Sequence, residues 1–203
     1  MNTNNTTLRP ISAPAFYHPA FETAHRFIID DYRVPEKEIC IFLPCSMKKP
    51  YSESPGHRVF SGVISSVLPE ESYHIVVFGT CGVVPRELER MYPFAHYRFM
   101  LGKVKDPRVK RDFHRIETAR IIAYLEKTRD LYKKRVAYCL GDFREAMEEA
   151  VQECGVQVTI LPSKENIVAN IREDLPFKQG SLHMQEYLDE FREELERLCS
   201  SWS

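Results

Sequence analysis

No stretch of eighteen apolar residues occurs in the 203-residue chain, which excludes a membrane-spanning helix. The first residues, Met1 to Thr7, are polar Asn and Thr and lack the apolar core of a signal peptide. No Cys-x-x-Cys occurs, and no His/Cys spacing suits zinc, although cysteine stands at positions 40, 45, 81, 139, 154 and 199. Four of these cysteines sit in apolar strand-like or helical surroundings. The expectation is a reduced, cytoplasmic protein with no metal and no cofactor. Internal repeats and low-complexity tracts are also missing. The net charge is −1, which speaks against a generic nucleic-acid binder, since such proteins are usually basic.

What is present is enough apolar material, 43% of residues, to bury a sizeable core. Residues 1–15 read as a flexible lead, and 16–203 as a single α/β domain ending in a helix over 180–199. Short apolar runs bounded by proline or glycine predict strands at Ile39–Leu43, Tyr73–Gly79, Arg135–Leu140 and Val156–Leu161, with a further short one at Phe99–Met100. Helices are expected between them. One covers Pro19–Tyr32, and one starts at Ser54-Pro55 with Val59, Val63, Ile64 and Val67 inward. A short helix opens at Pro85, and a long one runs over about 107–127 with Ile116, Ala119, Ile122 and Ala123 as its apolar stripe. Asp142 caps a helix that Gly155 terminates. Strands alternating with helices imply a mainly parallel sheet covered on both faces, a three-layer α/β/α sandwich.

Charge is distributed unevenly. Between Arg98 and Arg115 lie seven Lys or Arg against two Asp, while Glu186 to Glu196 is acidic. The basic strip either meets phosphates or is a solvated helix face and its preceding loop.

The densest chemistry is the run Pro44-Cys45-Ser46-Met47-Lys48-Lys49-Pro50-Tyr51-Ser52-Glu53-Ser54-Pro55-Gly56-His57, directly after the first strand. Its prolines forbid a continuous helix or central strand, so its thiol, ammonium, phenol, hydroxyl and imidazole groups sit on a shaped loop. Loops at the carboxyl ends of strands are where open α/β sheets bind ligands. A second block, Gly82-Val83-Val84-Pro85-Arg86-Glu87-Leu88-Glu89, then Tyr92-Pro93 and Ala95-His96-Tyr97, follows the second strand.

The spacing Pro-Cys, three residues, Lys-Pro-Tyr, two residues, Ser, two residues, His resembles the signature of archaeosine synthases, archaeal enzymes related to tRNA-guanine transglycosylases. The second block is similar to the same domain of that family, although Arg98 stands where the family pattern implies an acid. The resemblance spans roughly residues 38–165 and implies a uracil-DNA glycosylase-like fold without the family's transglycosylase-like barrel and PUA domain. It implies tRNA as partner, lysine or glutamine as amino donor, and a separate transglycosylase-like or PUA-containing chain for docking. The implied reaction adds nitrogen to the nitrile of a 7-deazaguanine base.

Under that reading Lys48 or Lys49 donates to the nitrile nitrogen as negative charge develops there. His57 relays protons or binds a phosphate. Cys45 is either a covalent nucleophile or a small buried residue at a strand end. Tyr51 either stacks on a base or closes the loop over the core. Pro44, Ser46 and Ser54 complete the substrate-binding loop, although Ser54 reads first as a helix cap. Gly82 permits close backbone approach, and Arg86 and Glu87 either meet the loop or form a surface pair. His96 has no assigned role. A non-catalytic tRNA- or nucleobase-binding subunit is the competing reading, and a base glycosylase follows from fold analogy alone.

Overall fold

Continuous apolar runs such as Ile39–Leu43 can be satisfied only where both faces of a strand are covered, and the chain builds such a sheet. The computed structural model describes residues 14–171 and 178–200. Strands β1 (Ile39–Pro44), β2 (Tyr73–Gly79), β3 (Gly82–Pro85), β4 (Lys134–Tyr138) and β5 (Thr159–Leu161) form one sheet in the order β3-β2-β1-β4-β5. β1 runs parallel to β2, with Ile39 opposite Tyr73 and Leu43 opposite Val77, and parallel to β4, with Phe42 opposite Ala137. β5 is parallel to β4, and only β3 is antiparallel.

The helices are α1 (Pro19–Arg26), α2 (Pro55–Val67), α3 (Pro107–Lys127), α4 (Gly141–Cys154), α5 (Lys164–Ala169) and α6 (Gln185–Ser200). Side chains alternate across a strand, so β1 feeds two cores. Cys40 and Phe42 pack with Phe21 of α1, Tyr124 of α3 and Met147 of α4. Ile39, Ile41 and Leu43 pack with Ile64 of α2, Ile167 of α5 and Phe191 of α6. The result is the three-layer α/β/α sandwich. Among the described residues no helix is long and apolar enough to cross a membrane.

β1 and β4 are neighbours, yet α2 leaves β1 onto one face and α4 leaves β4 onto the other. This divergence is the topological switch point of an open parallel sheet, where a crevice forms outside the carboxyl ends of the strands.

Several expectations are corrected. No strand forms at Phe99–Met100; the fifth strand is β3, which returns along β2 after the turn at Thr80-Cys81. Gly79 (φ +144°) and Gly82 (φ +91°) flank that turn in backbone conformations that side chains resist, and a Cβ on Gly79 would lie 2.7 Å from the Cys45 sulfur. After Pro85 comes one 3₁₀ turn, Arg86–Leu88, rather than a helix through Met91. The buried side of α3 carries Phe113, Ile121, Tyr124 and Leu125, whereas Ala119 is exposed and Ile116, Ile122 and Ala123 are half-buried. On α2, Val59 is exposed and Phe60 takes its place inward. α4 begins at Gly141 with no side-chain cap, and Asp142 instead accepts from Lys110 at 3.1 Å. β5 and α6 are shorter at their starts than expected. Of the expected flexible lead, residues 1–13 lie outside the described residues, and Ala15 at its end is fully buried.

The buried face of α3 also holds Glu117, whose Oε1 accepts the Gly79 N–H at 2.8 Å while Oε2 has no partner. Burial raises this carboxyl from 4.5 to about 8, although the nearby Arg120 charge opposes the shift. The folded chain therefore keeps a proton that the unfolded chain releases near pH 4.5, and this contribution to stability fades as pH rises from about 4.5 through 8. Glu117→Gln, which keeps an acceptor for Gly79, is expected to gain stability relative to wild type between pH 5 and 8. Urea unfolding at several pH values checks this; a difference that does not change with pH contradicts it.

Candidate active site

The crevice at the switch point is a cleft of about 450 Å³, within the range of roughly 300–1,000 Å³ typical of ligand pockets. Three segments line it. The loop after β1 contributes Pro44–Lys48, the first turns of α2 contribute Ser54–His57 and Phe60, and the segment after β4 contributes Leu140 and Phe143. The fourth wall is Gly180–His183, just ahead of α6. Most of the lining is apolar, with Ser46, Lys48, Ser54, His57, Ser181 and His183 as polar residues.

The loop divides into an inward and an outward half. Tyr51 is fully buried, and its hydroxyl lies 2.9 Å from the Cys81 sulfur, 3.0 Å from the Phe94 carbonyl and 3.2 Å from the Tyr97 hydroxyl. Lys49 turns the same way. Its ammonium donates to the carbonyls of Ser46 (2.9 Å) and Met47 (3.3 Å) and sits 3.8 Å from the centre of the Tyr97 ring. Burial lowers the pKa of this ammonium below its usual value. Neither residue lines the cleft, so Tyr51 offers no face to a base and Lys49 braces the loop's own backbone.

The outward half comprises Cys45, Ser46, Met47 and Lys48. Lys48 is exposed at the cleft wall and makes no ion pair among the described residues. Cys45 is half-buried; its N–H donates to the Phe78 carbonyl at 2.8 Å, and its sulfur lies 3.6 Å from Thr80 Oγ1. Burial pushes the thiol of Cys81, beneath the loop, up to about 12, so it stays protonated near pH 7.

His57 stands where the first turn of α2 meets the end of β1. Ser54 caps α2 by accepting the His57 N–H at 3.2 Å, which fixes the ring over the end of β1. Its Nε2 is 2.9 Å from the Pro44 carbonyl; a carbonyl only accepts, so Nε2 carries the hydrogen. Nδ1 is left as a buried lone pair without a partner among the described residues. Burial depresses the imidazole to about 4, against the opposing pull of the Pro44 carbonyl. His57 is therefore neutral near pH 7, and its single N–H is already engaged by the Pro44 carbonyl, which leaves none to offer a phosphate.

The second block does not converge on the cleft. Because β3 is antiparallel, it carries Arg86 and Glu87 back toward the amino end of β2. There Arg86 donates to Ser61 Oγ at 2.9 Å, and Glu87 accepts from Tyr32 and from His74 at 3.1 Å. Gly82 opens β3 beside Arg120, and His96 packs on Tyr92. The residues that do reach the loop are Tyr97, against Tyr51 and Lys49, Glu89, which accepts from the Ser52 N–H at 3.0 Å, and the next residue Arg90, which pairs with Glu53. Sequence reasoning also missed Ser181 and His183. The His183 ring lies over Phe60 with centroids 5.3 Å apart, its Nδ1 is 3.1 Å from Ser181 Oγ, and Gly56 leaves the space it occupies. Only the Gly180 preceding them signals a turn there, and nothing local ties that turn to β1.

The depressed His57 sets a pH dependence. The unfolded chain takes up a proton near 6.5 and the folded chain only near 4, so stability is lost as pH falls through this window. Thermal melts of wild type and His57→Gln, whose amide can still donate to Pro44, are expected to converge as pH falls from 6.5 to 4. Parallel curves contradict the assignment.

Comparison with known proteins places this geometry in a family. Residues 23–175 match the family model described as Domain of unknown function (DUF5591), a span that includes the loop after β1 and the start of α4. The archaeosine synthase subunit alpha of Methanosarcina acetivorans is 31% identical over 135 residues, 66% of this chain and 20% of that protein. That of Thermoplasma acidophilum is 27% identical over 134 residues, 60% of this chain and 25% of that protein. The archaeosine synthase of Haloferax volcanii is 44% identical over 57 residues, 28% of this chain and 9% of that protein. The chain thus spans a quarter or less of the length of these relatives. Among solved structures, the crystal structure of AF0587, a protein of unknown function, matches with a TM-score of 0.54 at 18% identity, covering 85% of this chain and 50% of that one. That likeness shows the fold alone. With three quarters of its length inside the match, the chain belongs to the DUF5591 domain family.

Proposed function

We propose that this chain acts in the formation of archaeosine in tRNA, with the cleft holding a 7-deazaguanine base turned out of its stack. The observation that carries the reading is the coincidence of the switch-point cleft with the Pro44–His57 motif, the segment that resembles archaeosine synthases. The chemistry is addition of a donor amine to the base nitrile: a bond forms between the amine nitrogen and the nitrile carbon. One π bond of the nitrile breaks, and a proton passes from the amine to the nitrile nitrogen, giving an amidine. Lys48 is the donor best placed to meet the nitrogen as it becomes negative, because Lys49 spends its ammonium on two carbonyls. Pro44, Ser46, Ser54 and His57 shape the wall against the base, with the apolar rings of Phe60 and Phe143 beside them. Lysine or glutamine supplies the amine, and a transglycosylase-like or PUA-containing chain completes tRNA docking.

A second reading is a nucleobase- or tRNA-binding subunit whose chemistry resides in another chain. It is favoured by the engagement of both Lys49 and His57 with backbone carbonyls.

Transfer of label from lysine or glutamine to tRNA carrying the nitrile base separates the two. Lys48→Ala is expected to lower incorporation by about 100-fold, the scale for losing one donor to a developing anion, without weakening tRNA binding. Cys45→Ser retains activity if the amine adds directly and abolishes it if a thioimidate on Cys45 precedes amine attack. Intact tRNA binding with no incorporation by wild type, alone or with its partner chain, overturns the catalytic reading in favour of the binding one.

A further inference from the structure

We infer that the basic strip between Arg98 and Arg115 is the surface on which the phosphate backbone of the RNA lies beside the cleft. This inference rests on tRNA being the substrate. The placement carries it first. A second depression of about 450 Å³, whose lining includes Leu101, Gly102 and Lys110 and the carboxylates of Asp142 and Glu145, adjoins the cleft by sharing Leu140, Phe143 and Gly180 with it. The strip begins at that depression, where Lys103 closes the 3₁₀ turn Leu101–Lys103, and continues through Lys105 onto α3. Along α3, Arg108, Arg111 and Arg115 follow at spacings of three and four, one helix face about 10 Å long at 1.5 Å per residue.

The charges are also free to act. Lys110 pairs with Asp142 and Arg115 with Asp112, but Arg98, Lys103, Lys105, Arg108 and Arg111 have no ion pair among the described residues. The two acids within the strip, Asp106, which caps α3 by accepting the Arg108 N–H, and Asp112, which accepts from the Tyr17 hydroxyl, set two anions against seven cations. A protein partner would need an apolar centre to its interface; of the exposed large apolar side chains among the described residues none falls between positions 98 and 115, and Tyr17, whose hydroxyl donates to Asp112, is a single ring rather than such a centre. Unpaired cations without such a centre fit a polyanion backbone, whose neutralisation releases counterions. A net charge of −1 for the whole chain then directs the backbone to this one strip and away from the acidic α6.

The test is binding of unmodified tRNA by fluorescence anisotropy at several salt concentrations. Wild type is compared with the triple variant Lys103→Ala, Lys105→Ala, Arg108→Ala and with Lys133→Ala, Lys134→Ala at the opposite end of the sheet. All five side chains are exposed, and a thermal melt checks that each variant folds. The triple variant is expected to bind at least 10-fold more weakly and to lose roughly 2 to 3 units of slope in log K against log salt. The control pair is expected to match wild type. Equal affinity and slope in the triple variant overturn the strip while leaving tRNA as substrate. Failure of wild type to bind any tRNA, with free 7-cyano-7-deazaguanine still bound, overturns the strip and leaves the cleft. Failure to bind either one overturns both the strip and the reading beneath it.

Discussion

β1 and β4 lie side by side and parallel, yet their connections leave for opposite faces of the sheet, α2 toward α6 and α4 toward α3. No side chain from either helix can close the gap over the two strand ends, so a crevice is imposed by topology. Every polar group of the motif after β1 is placed by this fact. The loop must cross the end of β1 and enter α2: Tyr51 and Lys49 turn inward, Cys45, Ser46 and Lys48 line the crevice, and Ser52 and Glu53 meet Glu89 and Arg90.

The inward half stiffens the outward half. Tyr51 fills a buried position with its hydroxyl satisfied by Cys81, Phe94 and Tyr97, and Lys49 spans two carbonyls above the Tyr97 ring. His57 ties the first turn of α2 to the last residue of β1 through one short bond to a carbonyl. Between these anchors the backbone from Cys45 to Lys48 is held by the Cys45 N–H on Phe78 and the Ser46 hydroxyl on the Lys48 carbonyl. The hairpin turn beneath is held in the same spirit: the Glu117 carboxyl takes the Gly79 N–H, and Gly79 makes room for the Cys45 sulfur.

How much of this was legible in the sequence depends on what each residue was asked to say. β1 and β2 were readable because buried parallel strands are continuous apolar runs between breakers, and the Ser54-Pro55 start of α2 was readable because capping is local. β3 was missed because Gly82-Val83-Val84-Pro85 is short and Pro85 reads equally as a helix opener. That one error sent Arg86 and Glu87 to the wrong end of the sheet. On α3 the expected stripe only edges the core, with Ile116 and Ile122 packed at its margin, because the fully buried side also carries Glu117 and Arg120, which hydropathy scores as outward. The motif loop was located correctly, but spacing alone cannot say which of two adjacent lysines faces in. His183 reaches the cleft from more than 120 residues away in sequence, a contact that only the tertiary fold creates.

The central claim is that the crevice over β1 and β4 is where the base binds. Amide chemical-shift mapping by NMR during titration with free 7-cyano-7-deazaguanine addresses it directly. The account requires saturable shifts confined to residues 44–48, 54–60, 140–143 and 180–183, with the Arg86–Glu87 turn at the amino end of the sheet unmoved. Shifts centred on that turn, or none at saturating base, would contradict it.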